Sequence, residues 1–270
     1  LKNWPALDAA SDQSDLLLAA VDDFSPTAVE ERDNGLRVFF ATPAARDAAI
    51  SALAERFAVA PVDVDDEDWA RRSQENLSPI TVGQITVTPK VPALPAPPGG
   101  PPQSIVIAIP PSMGFGTGHH STTRLCLAAL QSIDLHGKFV LDVGTGSGVL
   151  AIAAAALGAS SALGIDDDAD AITAARENIE SNHVVNVEFV VGDLMQDDLP
   201  EADVVLANLT GAMLMRAAAR LTRAVRPDGI LIVSGIMATE GNDVRRAFAN
   251  QTFLADVQED EWLAFTLKSR

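Results

Sequence analysis

Cysteine, basic side chains and long apolar runs are all scarce in this 270-residue chain. Cys126 is the single cysteine, so no internal disulfide can form, which suits a reducing compartment. It sits between Leu125 and Leu127 and reads as a small core residue rather than a nucleophile. Lys and Arg number 19 against 37 Asp and Glu, a net charge of −18, and no basic block occurs anywhere. Tight non-specific nucleic-acid binding needs clustered Lys and Arg, so no direct nucleic-acid partner is expected. An acidic surface favours basic partners and solubility. The most apolar stretch, Val149 to Ile165, is Ala- and Gly-rich and interrupted by Ser160 and Ser161, too weakly hydrophobic to span a bilayer. Leu-Lys-Asn-Trp-Pro at the start carries no basic-then-apolar leader. A soluble, cytoplasmic protein is expected.

What is present is ordinary globular material: 47% apolar and 21% charged residues. Val91 to Pro102 reads VPALPAPPGGPP, which holds neither a helix nor a central strand. Before it, residues 1–64 alternate element types. A short helix is expected over 12–20. Strands are expected at 27–32 and 36–41 around Asp33-Asn34-Gly35, because an Asn-Gly pair between such runs is a hairpin signal. A helix from Pro43 to Phe57 and a strand at 59–64 follow. With a first strand at 4–7 the order is βαββαβ, a small α+β, ferredoxin-like domain. Residues 65–104 read as a connection, with a helix over 65–74 and then the Pro-rich segment.

Residues 105–270 alternate strands and helices. Strands are expected at 139–143, 162–165, 187–191, 203–206 and 229–233. Helices are expected at 149–157, 169–182, 212–225 and 243–249. Strands apolar on both faces, alternating with helices, indicate a doubly wound, mostly parallel Rossmann-like α/β sheet. The runs 253–257 and 262–267 suggest an antiparallel hairpin at its edge.

The clearest motif is Val140-Leu-Asp-Val-Gly-Thr-Gly-Ser-Gly148, a strand, a glycine turn and a helix. Gly144, Gly146 and Gly148 allow a sharp turn and close approach of a ligand. The spacing is neither the dinucleotide fingerprint nor the phosphate loop, which needs a Lys. Asp142 stands two residues before Gly144 and is placed to orient the turn from beneath. Asp166 ends the next strand, where an acid accepts hydrogen bonds from ribose hydroxyls. Asp193 ends the third strand, in reach of an adenine amino group. Asn208 follows the fourth strand, at the carboxyl ends where ligands sit in open α/β sheets. Each feature also has a purely structural reading: a tight turn for the glycines, helix caps for the aspartates, a turn contact for Asn208.

Phe115-Gly-Thr-Gly-His-His-Ser-Thr-Thr123 precedes a further helix that reaches about Leu130. It suits a lid over a ligand, with a cap supplied by Ser121, Thr122 or Thr123 as the plainer alternative. His119 and His120 are adjacent and have no Cys, Asp or Glu nearby, so no metal site is expected. The two histidines are expected to shape the loop.

The glycine turn, the acid after the second strand and Gly192-Asp193 resemble class I methyltransferases that bind S-adenosylmethionine. More narrowly, FGTGHHSTT at 115–123, LDVGTGSGVLAIAA at 141–154, Gly164 to Asp168 and Leu206-Ala207-Asn208 together resemble the ribosomal protein L11 methyltransferase (PrmA) family. Ser234-Gly235-Ile236 and Glu261-Trp262 match it too. Asp66-Glu67-Asp68-Trp69 fits its linker helix. The resemblance implies donor contacts at Thr123, Gly144, Asp166 and Asn208, with Phe115 and Gly116 closing over the donor. It implies S-adenosylmethionine as methyl donor, S-adenosylhomocysteine as product, and lysine ε-amines of ribosomal protein L11, sometimes with its α-amine, as target. Three departures touch loop anchoring and the linker. Pro110-Pro111-Ser112 lacks the family's acid, the second linker Trp is replaced near Ser73, and Val91–Pro102 is unusual. They leave open a different protein or a small molecule as substrate.

Transfer from a sulfonium is an in-line displacement, catalysed mainly by proximity and orientation. The amine must be neutral, and a free lysine at pH 7 is neutral at roughly the 0.04% level, a cost of about 4.6 kcal/mol. A narrow apolar channel depresses that pKa. Asn208 and neighbouring carbonyls are the residues expected to hold the amine. No side chain stands out as a general base.

Overall fold

A computed structural model of the chain describes residues 3–10, 21, 24, 26–32, 35–54, 56–65, 78–89, 105–110 and 120–269. The expected helix at 12–20, the Asp33-Asn34 half of the hairpin turn and the segment 91–102 lie outside the described residues, as does the expected helix at 65–74 except for Asp65, which ends a strand instead. The chain divides into two compact units, residues 1–76 and 77–270.

In the first unit, four antiparallel strands, β1 (Asn3–Ala10), β2 (Ala28–Arg32), β3 (Gly35–Phe39) and β4 (Ala58–Asp65), lie in the order β2-β3-β1-β4. Read from the other edge this is β4-β1-β3-β2, the split-βαβ arrangement. Alternation sets the faces. Leu7, Ala9, Leu36 and Val38 pack under helix α1 (Pro43–Leu53) through Ala49 and Leu53. Ala6, Phe39 and Val64 form a cluster on the opposite face. Thr42 caps α1 by accepting the Ala45 N–H at 3.2 Å, and Pro43 begins it, where no N–H is needed. Asp8 and Arg37 are register partners across β1 and β3 and form a two-bonded ion pair at 2.5 and 2.6 Å.

The second unit is built on a seven-stranded sheet. Five strands run parallel: β8 (Phe139–Val143), β9 (Ser161–Asp166), β10 (Val187–Val191), β11 (Ala202–Asn208) and β12 (Val225–Met237). The antiparallel hairpin of β13 (Thr252–Glu259) and β14 (Trp262–Lys268) closes one edge. The order β10-β9-β8-β11-β12-β14-β13 reverses between β8 and β11, which opens a crevice at their carboxyl ends.

Helices cover both faces. On one, α2 (Ser121–Leu130), α3 (Val149–Ala156) and α4 (Ala169–Asn182) bury Cys126, Ala151, Ile152, Ile172 and Ala175 in one core cluster. On the other, α5 (Gly211–Ala224) and α6 (Gly241–Ala247) bury a second. Leu214, Ala217, Ala218 and Leu221 make the apolar stripe of α5 at helical spacing. Among the described residues no helix is long and apolar enough to cross a membrane.

Within the stretch read from the sequence as a connection, β5 (Ile80–Val82) and β6 (Ile85–Thr88) form a hairpin, and β6 pairs in parallel with β7 (Ile105–Ala108). This three-stranded sheet belongs to the second unit but not to its large sheet. Gln131 at the end of α2 binds Gln84 N–H and Val82 C=O, and Asn182 at the end of α4 binds both backbone groups of Ala108.

Candidate active site

The strand β8 ends in Asp142-Val143 and turns through three glycines with positive φ, Gly144 at 71°, Gly146 at 53° and Gly148 at 80°. Backbone N–H groups of Gly144 and Thr145 both donate to Ile165 C=O, at 2.9 and 3.0 Å. Gly146 N–H donates to Asp166 Oδ2 at 2.9 Å. Gly148 begins α3, and a Cβ there would lie 2.4 Å from the ring of buried Phe189. Only glycine meets both the left-handed backbone and that close packing.

Asp142 does not line the cleft. It is 1% exposed and accepts the Thr145 hydroxyl through Oδ2 at 2.6 Å. Its Oδ1 has no close hydrogen-bond partner among the described residues. Burial pushes this carboxyl up to about 6, against the Thr145 hydroxyl and the Ala151 amide, which favour its charge.

Asp166 stands at the end of β9 and faces the cleft. Its Oδ1 accepts the Asp168 N–H at 3.1 Å, but the side-chain cap of α4 is Asp168 itself. Each carboxylate oxygen of Asp166 keeps accepting capacity. Asp193 closes the turn 193–197 instead of a helix. It accepts the Met195 N–H at 2.7 Å and the Gln196 amide, and these, the Met195 amide first, hold it below the usual carboxylate range.

Two adjoining hollows share Gly144, Asp166, Asp167 and Leu209. The larger, about 450 Å³, also meets Thr123, Gly146, Asn208 and Trp262, and the smaller, about 70 Å³, reaches Asp193. The larger falls within the roughly 300–1,000 Å³ of small-molecule sites. No Lys or Arg lines either hollow among the described residues. Thr123 is 1% exposed, and its hydroxyl has no hydrogen-bond partner among the described residues. Asn208 ends β11 beside Ser234 of β12, and no hydrogen bond of its side chain occurs among the described residues. Phe115, Gly116 and His119 lie outside the described residues.

The cap of α2 is His120, not Ser121, Thr122 or Thr123: its Nδ1 accepts from Thr122 N at 3.4 Å and lies 2.8 Å from Thr122 Oγ1. His120 meets Trp262 edge-on with ring centres 4.8 Å apart. Arg124 pairs with Glu259, and Ser121 donates to Asp260, so the start of α2 is tied to the β13–β14 hairpin. Trp262 and His120 are walls that the sequence reading gave no binding role. The signal available for Trp262 was a tryptophan opening a strand next to the β12 end. Cys126 is buried, and burial pushes its thiol up to about 12, which leaves it inert.

The sequence profile of the ribosomal protein L11 methyltransferase (PrmA) family matches residues 27–270. The ribosomal protein L11 methyltransferase of Aliivibrio salmonicida is 38% identical over 219 residues, which span 79% of this chain and 72% of that protein. Its counterpart in Pseudomonas syringae pv. tomato is 38% identical over 211 residues, 77% of this chain and 70% of that one. The crystal structure of a ribosomal protein L11 methylase from Lactobacillus delbrueckii subsp. bulgaricus superposes with a TM-score of 0.66 at 26% identity, covering 72% of this chain and 100% of its own. The chain belongs to the ribosomal protein L11 methyltransferase (PrmA) family and is an S-adenosylmethionine-dependent methyltransferase of the class I fold.

Proposed function

We propose that the protein methylates lysine ε-amines of a basic protein in the cytoplasm, and that this protein is ribosomal protein L11. The observation that carries the donor site is the buried Thr123 hydroxyl, which has no partner among the described residues and belongs to a residue that lines the cleft together with the glycine turn. A buried hydroxyl without a partner costs about 1–3 kcal/mol, so a ligand that bonds it recovers that cost. A donor without phosphates also fits a cleft whose described walls include Asp166 and Asp167 but no cation.

When bound, the donor supplies an electrophilic methyl group on sulfur. The chain's own residues bind and orient. Gly144 and Gly146 offer close backbone approach, Asp166 accepts from the ribose hydroxyls, and Asp193 faces the base end. Asp142 holds the turn through Thr145 rather than touching the donor. The family resemblance assigns donor contacts to Phe115 and Gly116 as well, which lie outside the described residues. Asn208 holds the attacking amine through its side-chain carbonyl and keeps its lone pair directed along the displacement axis. The apolar walls given by Leu209 and Trp262 favour the neutral amine. No side chain is assigned as a base, and the proton leaves to solvent. The net charge of −18 suits a basic substrate.

The test is transfer from labelled S-adenosylmethionine to unmodified ribosomal proteins, read by mass spectrometry. Label on lysines of L11 alone is the expected outcome. Donor binding without label on L11 moves the substrate to another protein or a small molecule. No donor binding by calorimetry overturns the assignment of the cleft.

A further inference from the structure

Two peptide units of the glycine turn, 145–146 and 147–148, are held by one continuous stretch of chain. At its strand end, Asp166 Oδ2 accepts the Gly146 N–H at 2.9 Å. Three turns into the following helix, Asn178 Nδ2 donates to Ser147 C=O at 2.8 Å. Asn178 is 3% exposed and Ser147 fully buried. Asn178 lies on the covered side of α4, and neither hollow touches it. One turn on, Asn182 Nδ2 donates to Asn178 C=O at 2.7 Å and to Ala108 C=O, which ties this part of α4 to β7. Asn178 is therefore set in a framework independent of the cleft.

The two anchors differ in what a ligand does to them. Asp166 faces the cleft and is the group assigned to the ribose hydroxyls, so donor binding divides its carboxylate between ligand and turn. Asn178 lies outside the cleft lining and keeps its bond to Ser147 whatever the cleft holds. We infer that Asn178 is a positioning residue that fixes the Ser147 peptide, and with it the glycine turn, in the geometry that receives the methyl donor, an inference that rests on the donor site proposed above. An amide suits the task because only a side chain that donates can hold a carbonyl, and at this depth a charged donor would cost far more to bury.

The experiment measures S-adenosylhomocysteine affinity by calorimetry, and KM for the donor and kcat with ribosomal protein acceptors, on the full chain. Asn178→Ala is expected to weaken donor affinity and raise donor KM about tenfold, the worth of roughly one buried hydrogen bond. At saturating donor, kcat stays within about twofold, because Asn178 touches neither substrate. Asn178→Asp keeps the side-chain volume but turns an acceptor toward Ser147 C=O, and is expected to bind the donor no better than Asn178→Ala. Asn186→Ala is the control. Asn186 Nδ2 bonds Ala159 C=O at 2.8 Å, at the opposite ends of β9 and β10 from the cleft, so its loss lowers the melting temperature and leaves donor affinity unchanged. Unchanged affinity in Asn178→Ala, or affinity restored in Asn178→Asp, overturns the inference and reduces Asn178 to packing. Absence of donor binding in the unaltered protein instead overturns the site on which the inference stands.

Discussion

Thr145 donates its hydroxyl to Asp142 Oδ2 at 2.6 Å beneath the glycine turn, with both side chains buried. The carboxylate keeps this bond at the cost of desolvation, and its pKa rises from 3.8 to about 6. A raised folded-state pKa means that the folded protein binds the proton more tightly than the unfolded chain. Stability from this group is full below pH 3.8 and is lost as pH rises through about 6. The loss amounts to roughly 3 kcal/mol, at about 1.4 kcal/mol per pKa unit. Asp142→Asn removes the titration. Denaturant unfolding from pH 4 to 7 is expected to show the unaltered protein losing stability relative to Asp142→Asn by that order. A pH-independent difference would refute the assignment of the buried charge.

Thr123 offers a prediction with two signs. Its hydroxyl is buried without a partner among the described residues, so Thr123→Val is expected to raise the melting temperature of the ligand-free protein, or leave it unchanged. The same change removes the group assigned to the donor, and S-adenosylhomocysteine affinity is expected to fall roughly tenfold. A variant that loses stability in the free state and keeps its affinity contradicts both halves.

The large sheet was legible because parallel strands buried on both faces announce themselves as short apolar runs. The runs at 139–143 and 187–191, and the helix at 169–182, have the bounds that the structure gives. The strand expected at 229–233 extends to Val225–Met237, because backbone pairing continues past the apolar run at both ends. The hairpin at 80–88 was missed inside a stretch read by its prolines. Yet Ile80-Thr-Val and Ile85-Thr-Val-Thr flank Gly83-Gln84, and Gly83 turns with φ 57°. Asp166 and Asn208 were legible because a doubly wound sheet puts its strand ends in one crevice. Trp262 was not, since its place beside His120 depends on an antiparallel strand that returns to the cleft from the edge hairpin. The cap of α2 was misread because histidine caps through a ring nitrogen, while the neighbouring hydroxyls carry the usual signal.

Gly235 and Gly137 separate backbone strain from collision. Their φ values are 86° and 72°, so alanine at either is strained by roughly 1–2 kcal/mol. A Cβ at Gly137 meets nothing within 4 Å, whereas at Gly235 it would lie 2.1 Å from the Leu209 carbonyl oxygen. Backbone cannot swing aside as a flexible side chain does, so the segment following Asn208 must shift. Gly137→Ala is expected to keep its methyl-transfer rate with a modest stability loss. Gly235→Ala is expected to cost at least about twice as much stability and to lower transfer at least tenfold, because Asn208 moves with Leu209. Equal rates in the two variants would detach Asn208 from the chemistry.

Asn208 itself gives the most direct test of how the amine is held. Its side chain ends β11 in the cleft wall with no hydrogen bond among the described residues, so it is available to a substrate nitrogen. Asn208→Ala is expected to lower kcat at saturating donor by at least about tenfold, the loss of one orienting contact, with a smaller change in donor affinity. Asn208→Asp separates orientation from charge. A carboxylate there keeps an acceptor for the amine, but its negative charge stabilises the ammonium form and raises the substrate lysine's pKa. The attacking species is the neutral amine, so this variant is expected to be slow at pH 7 and to recover as pH rises, its kcat profile displaced to higher pH than that of the unaltered protein. An unshifted profile would mean that Asn208 does not contact the amine, and a full-rate Asn208→Ala enzyme would remove it from the mechanism altogether.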